Sequence, residues 1–277
     1  MVLELEAVAD HWDLALSEAP VTLEGGFHNR LVRCGQVVVR FQRSSVASVE
    51  WEHDLLDWLG QSVPEVVVPR AAIDGTSLLV IGQEIATVLP YVEGGRGEAP
   101  DAAELLARLH LRGAAWPRRD QRPERPSYRD LNWERNDWWD WEIVAKPAVL
   151  QQAHEELRGW VGSRPSLLTA PIHGDFGVEN LIVRDGTIAA VIDWEYARLE
   201  WAALELGAAA MRFSLDAPER FIEAYNRAGG PAEPEATHQG MRLWLLSNAL
   251  YSLTCAARGK PYSQEWIDFT LAGLAET

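Results

Sequence analysis

His173, Asp175, Asn180 and Asp193 lie within one stretch of the chain, Pro171 to Trp194. Two apolar, β-branched runs, Leu181 to Val183 and Ile188 to Ile192, flank Asp185-Gly186, and Asp-Gly between such runs predicts a hairpin. The hairpin carries a carboxamide, Asn180, at the mouth of its first strand and a carboxylate, Asp193, at the end of its second. The loop holding His173 and Asp175 leads directly into it. Three oxygen-bearing side chains thereby come to one end of one hairpin, the donor set that a Mg²⁺-nucleotide site with a nearby general base requires. A carboxylate such as Asp175 would accept the proton of an attacking alcohol. Hard oxygen ligands such as Asn180 and Asp193 would hold Mg²⁺ against phosphates.

Composition narrows the setting of this stretch. The 277 residues suffice for two modest domains or one large one, and a 47% hydrophobic, 24% charged composition is ordinary for a soluble globular protein. With 41 acidic against 25 basic residues the net charge is −16, which argues against nucleic acid or an anionic membrane as partner. That charge is compatible with a cationic substrate, although surface acidity mostly serves solubility. Two cysteines, Cys34 and Cys255, are too few for a disulfide scaffold and are expected to be reduced. The start, Met-Val-Leu-Glu-Leu-Glu, lacks the features of a signal peptide, and no apolar run approaches the roughly 20 residues of a membrane span. The expectation is a cytoplasmic protein. Oligomeric state is not legible in the sequence.

The elements that must position these residues divide the chain in two. Helical spacing marks Glu4 to Leu16. Strands are expected at Val21 to Leu23, His28 to Arg33 and Val37 to Gln42, a helix at Ser48 to Leu59, and further strands at Val66 to Val68, Ser77 to Ile81 and Ile85 to Tyr91. A glycine-rich loop, residues 93–100, follows. Beyond it the pattern is helical: 101–113, 140–161, 202–213, 217–228, 238–257 and 263–274, with the hairpin as the one clear strand pair of this half. Residues 1–90 therefore read as a small β-rich lobe and 91–277 as a larger helical lobe.

His173-Gly-Asp175-Phe-Gly-Val-Glu-Asn180 has the spacing of a kinase catalytic loop, and Ile192-Asp193-Trp194 follows where a metal-binding Asp should stand. The set resembles the aminoglycoside phosphotransferase and choline kinase group, the small-molecule branch of the protein-kinase-like fold. The resemblance implies an α+β, two-lobed architecture: a nucleotide-binding β lobe and a helical lobe that carries catalysis and the acceptor. It also implies ATP or GTP with Mg²⁺, and phosphoryl transfer to a hydroxyl of a small molecule. Asp175 would be the base, Asn180 and Asp193 the metal ligands. His173 and Glu205, in Glu205-Leu206, would brace the catalytic loop.

In that family a glycine turn covers the nucleotide phosphates, and Gly25, Gly26 and Asn29 stand in its place, without the full Gly-x-Gly-x-x-Gly of protein kinases. The family usually carries a lysine on the third strand. This chain has only two lysines, Lys146 and Lys260, and Arg40 occupies that position. Its implied partner is Glu52, with Glu50 as runner-up. Backbone groups around Leu89 and Tyr91 would meet the nucleobase, and Val38, Ile182 and Ile192 would sandwich it.

The acceptor side is written less sharply. Residues 132–141 pack four tryptophans among three acidic residues. Such a surface suits a cation, so Trp133, Asp137 and Trp138 are a candidate pocket wall; the alternative is an aromatic packing segment between helices. Trp194 and Glu195 would face the acceptor. An aminoglycoside or other cationic amino alcohol is one acceptor class, and a metabolite such as homoserine or a sugar is the second. A nucleotide-binding regulatory module without turnover is the alternative of a different kind.

Overall fold

In Val37–Gln42 (β3) alternate side chains point to opposite faces. Val37, Val39 and Phe41 join Val32, Ala86 and Val88 in a core that the helix Val2–Trp12 (α1) covers with Leu5, Val8 and Trp12. Val38, Arg40 and Gln42 therefore face the other way. The sheet is antiparallel throughout, in the order β1-β2-β3-β5-β4, where β1 is Val21–Leu23, β2 Arg30–Cys34, β4 Leu79–Ile81 and β5 Glu84–Pro90. In this computed structural model the described residues are 2–15, 19–23, 29–97, 99–130, 140–163, 166–231 and 233–276.

Two compact units make up the chain. The first comprises Met1–Asp101, Arg122–Glu124 and Val178–Glu195; the second comprises Ala102–Gln121, Arg125–Gly177 and Tyr196–Thr277. The small antiparallel sheet and the larger helical part give the expected α+β class.

In the first unit the helix Val46–Gly60 (α2) starts at an N-cap, Ser45, whose side chain accepts from Ser48 N at 3.3 Å. It buries Val49, Trp51, Leu55, Leu56 and Leu59. The hairpin forms as Leu181–Arg184 (β7) and Thr187–Val191 (β8). Its turn has φ 52° at Asp185 and 75° at Gly186, the two positive values that a type I′ turn demands. Val66 to Val68 is not a strand of the sheet. Pro64 and Pro69 bracket it and remove backbone donors, and Val66 makes only an isolated parallel bridge to Val191.

The second unit holds Ala102–Ala114 (α3), Ala148–Gly162 (α4), Ala202–Phe213 (α5), Pro218–Arg227 (α6), Pro234–Ala257 (α7) and Gln264–Glu276 (α8). Leu150 and Leu157 of α4, Leu204 of α5, Leu243, Leu246 and Leu250 of α7 and Leu274 of α8 share one core. Helices α5 and α7 meet backbone to backbone: a Cβ on Gly207 would strike the backbone of Thr237 and Met241, and one on Gly240 would lie 2.6 Å from the Leu204 carbonyl. Two expectations are corrected. The helix expected from residue 140 begins at Ala148, because Pro147 sits at its N-cap in an extended conformation and biases the residue before it away from helix. The hairpin is also not the one strand pair after residue 91, since Thr169–Ile172 (β6) pairs with Arg198–Trp201 (β9).

Candidate active site

Arg40, on the face of β3 turned away from α1, is 5% exposed, and a buried cation needs a partner. Its Nη2 donates to Glu52 Oε1 at 2.6 Å, while Glu50, a position nearer the start of α2, is exposed. The second oxygen, Oε2, accepts from Arg122 Nη2 at 2.7 Å. Burial alone would raise the Glu52 carboxyl, but the two guanidiniums more than offset it and hold the pKa at about 2. Burial drives the neighbouring His53 down to about 4, with Arg40 and Arg122 adding to the fall against the pull of Glu52. Arg40 Nε is buried and finds no hydrogen-bond partner among the described residues.

The hairpin of the same unit holds Asn180 and Asp193 next to each other. Ile192 N donates to the Asn180 carbonyl at 2.9 Å, so Asp193 follows directly on the pairing. Asp193 has φ 66°, a left-handed conformation unusual for a residue with a side chain. Strain of this kind, about 1 kcal/mol or more, persists where surrounding structure over-determines it, and it clusters at functional sites. Carboxamide and carboxylate are hard oxygen donors that fit Mg²⁺ completed by phosphate oxygens and water. Among the described residues no cluster of three or more His, Cys, Asp or Glu offers a site of another type.

Asn29 Nδ2 donates to Glu195 Oε2 at 2.7 Å, so the start of β2 is tied to the turn after Asp193. Trp194 is buried, and its indole N–H donates to the Val191 carbonyl at 3.2 Å. Val38 and Leu89 are register partners across β3 and β5, and both are half-buried, as are Ile182 and Ile192. Tyr91 N donates to the Gln36 carbonyl at 2.9 Å, and the Arg33 guanidinium lies 3.7 Å from the Tyr91 ring centroid. That N–H is engaged within the sheet.

In the second unit the loop that carries His173 and Asp175 is held from α5. Glu205, buried, accepts from Gly174 N at 2.5 Å and from His173 N at 3.1 Å. Its Oε2 also lies 2.9 Å from His110 Nε2, and His110 Nδ1 lies 2.8 Å from the Tyr225 hydroxyl. Burial would raise the Glu205 carboxyl; the His110 hydrogen bond and charge, then His173 and the Gly174 N–H, lower it below the ordinary value. Burial, with Glu205 nearby, raises the Tyr225 hydroxyl. Gly174 has φ 84°, and a Cβ there would run into the Tyr196 carbonyl. The His173 ring accepts from Asp175 N at 3.3 Å through Nδ1, which fixes the turn between them. Arg212 Nη1 donates to Asp175 Oδ1 at 2.5 Å. A Cβ on Gly177 would lie 2.5–2.7 Å from the same guanidinium, so glycine makes room for it.

A model of the phosphotransferase enzyme family matches residues 21–244. The chain belongs to this family. Among curated proteins, the chain is 29% identical over 164 residues to a homoserine kinase of Cupriavidus taiwanensis, covering 54% of this chain and 46% of that protein. It is also 29% identical over 165 residues to a homoserine kinase of Cupriavidus necator, covering 54% and 48%. The matched stretch thus spans about half the length of these relatives. Among solved structures it is similar to the amicoumacin kinase hAmiN in complex with AMP-PNP, Ca²⁺ and Ami, with TM-score 0.77, 13% identity, and 99% of this chain and 93% of that chain covered. A microcompartment-associated aminopropanol kinase gives TM-score 0.70 at 20% identity, covering 99% and 94%. At such identities the structures establish the fold.

Several expected site residues, Gly25, Gly26, Trp133, Asp137 and Trp138, lie outside the described residues. Other residues contact the candidate site residues without a motif to announce them. Arg122, His110 and Tyr225 come from distant segments. Arg212 had one legible signal: it stands seven residues after Glu205, which is two turns along the same face of α5. No helix among the described residues is long and apolar enough to cross a membrane.

Proposed function

We propose that this phosphotransferase moves the γ-phosphoryl group of ATP or GTP to a hydroxyl of a small amino alcohol. The observation that carries the reading is Arg40: a buried arginine, fixed by Glu52, with a buried Nε left for an anionic ligand. Arg40 and the glycine turn would hold phosphate oxygens, and Asn180 and Asp193 would hold Mg²⁺. The metal, when bound, neutralises charge on the triphosphate. Asp175 would take the proton of the acceptor hydroxyl as that oxygen bonds to the γ-phosphorus. The bond from phosphorus to the β–γ bridging oxygen breaks in the same step, and the nucleoside diphosphate leaves. Asp175 and Asn180 are five residues apart in one continuous stretch. In this reading residues 1–90 are the nucleotide lobe, and 91–277 carry catalysis and the acceptor. Val38, Leu89, Ile182 and Ile192 line the nucleobase site, and Trp194 and Glu195 flank the acceptor.

The similarity to homoserine kinases supports an acceptor of that size, a hydroxyl on a short aminated carbon chain. Thermal unfolding with and without Mg·ATP or Mg·GTP tests the nucleotide end. Stabilisation in the wild type that disappears in Asp193→Ala is expected; no stabilisation by either nucleotide contradicts the reading.

A further inference from the structure

Arg122 belongs to none of the expected elements. With Pro123 and Glu124 it groups with the first unit, while the chain on either side belongs to the second. Its side chain is fully buried, and each of its three nitrogens donates to a different partner. Nε donates to Ser48 Oγ at 2.9 Å, Nη2 to Glu52 Oε2 at 2.7 Å and Nη1 to the Trp194 carbonyl at 2.9 Å. Ser48 and Glu52 are one turn apart on α2, and Trp194 is the residue after Asp193. A single planar guanidinium therefore ties the helix that presents Glu52 to the turn that presents Asp193.

Glu124 grips the same helix at its start. Both of its carboxylate oxygens lie 3.3 Å from Ser45 N, where the helix dipole and the first N–H groups favour negative charge. Its backbone has φ 65°, a conformation seldom adopted by residues other than glycine. Glu52 has two oxygens. Arg122 takes one from a position already anchored on Ser48 and Trp194, which leaves the other in one orientation for Arg40.

We infer that Arg122 is a positioning residue. It sets Arg40 and the Asp193 turn in register, and so fixes the grip on the triphosphate end of the nucleotide without touching the nucleotide itself. The inference rests on the reading of Arg40 and Asp193 as phosphate and metal residues. A lysine at 122 keeps the charge but offers one compact ammonium, which lacks the planar fork that serves three partners at once.

Titration calorimetry with Mg·AMP-PNP or Mg·GMP-PNP, whichever the wild type binds, and separately with the matching nucleoside, tests it. Arg122→Lys weakens the Mg-nucleotide by about tenfold and leaves the nucleoside within about twofold, because only the phosphate end loses its register. Glu124→Gln, an exposed change that spares the buried charges, moves the same ratio in the same direction by about threefold, and it serves should Arg122→Lys fail to fold. A wild type that binds neither Mg-nucleotide overturns the phosphoryl-transfer reading and this inference together. A wild type that binds, with variants that match it or lose both ligands in parallel, overturns the inference alone.

Discussion

Arg212 and Asp175 form an ion pair, with Nη1 2.5 Å from Oδ1, across 37 residues of sequence. The arginine reaches the loop from α5, two turns beyond Glu205, which holds the backbone of His173 and Gly174. One helix face thus fixes both the main chain of this loop and the carboxylate it carries. Arg212→Gln removes the charge that orients Asp175. Turnover is expected to fall by about tenfold, while affinity for the Mg-nucleotide stays unchanged; Arg212→Lys recovers part of the loss. Steady-state kinetics beside calorimetry separate the two quantities, and a parallel loss of both would contradict this role.

Stability depends on pH through His53 and Glu52. The folded pKa of His53 is depressed to about 4 from 6.5, so between these values the unfolded chain binds the proton more readily and stability falls as pH drops. The loss reaches about 3 kcal/mol at the lower end of that window. Glu52, depressed to about 2 from 4.5, adds its own loss only below 4.5. Glu52 stays ionised at about pH 7 and about pH 5, so urea midpoints at these two values, compared between wild type and His53→Asn, separate this histidine's share from that of the other histidines. The drop between them is expected to shrink in His53→Asn.

Gly207 and Gly240 set the approach of α5 to α7, and α5 carries Glu205 and Arg212. Alanine at either position meets backbone rather than a movable side chain. Each substitution is expected to cost about 1–3 kcal/mol by overpacking, despite the better helix propensity of alanine. Thermal or urea unfolding reads the loss, and a stabilised Gly207→Ala would contradict the close contact.

Local pattern made part of this structure legible. Asp-Gly between β-branched runs marks the hairpin, a signal that needs only neighbours in sequence. The pairing of Arg40 with Glu52 was legible only through the resemblance to small-molecule kinases, because the run Val37 to Phe41 carries no alternation that would show which way Arg40 faces. Arg122 and Glu52 are 70 residues apart, and His110 and Glu205 are 95 apart, so nothing near either arginine or histidine marks its partner. Strands β6 and β9 were hidden for a different reason. They are four residues each; one contains Pro171, and the other buries Arg198 and Glu200 where an apolar alternation would be expected. Glu200 is buried because Ser127 Oγ and Tyr128 N donate to it at 2.8 and 2.7 Å, contacts that only the folded chain supplies.

Phosphoryl transfer is tested most directly by product formation from Mg·ATP or Mg·GTP across a panel of hydroxylated amines that includes homoserine, read as phosphorylated acceptor by mass spectrometry. One-to-one phosphoacceptor and nucleoside diphosphate are expected with at least one short amino alcohol. Asp175→Asn is expected to lower the rate by about 10²-fold or more, the cost of losing a general base. Nucleotide binding without product on any acceptor, or an Asp175→Asn variant as active as the wild type, would contradict it.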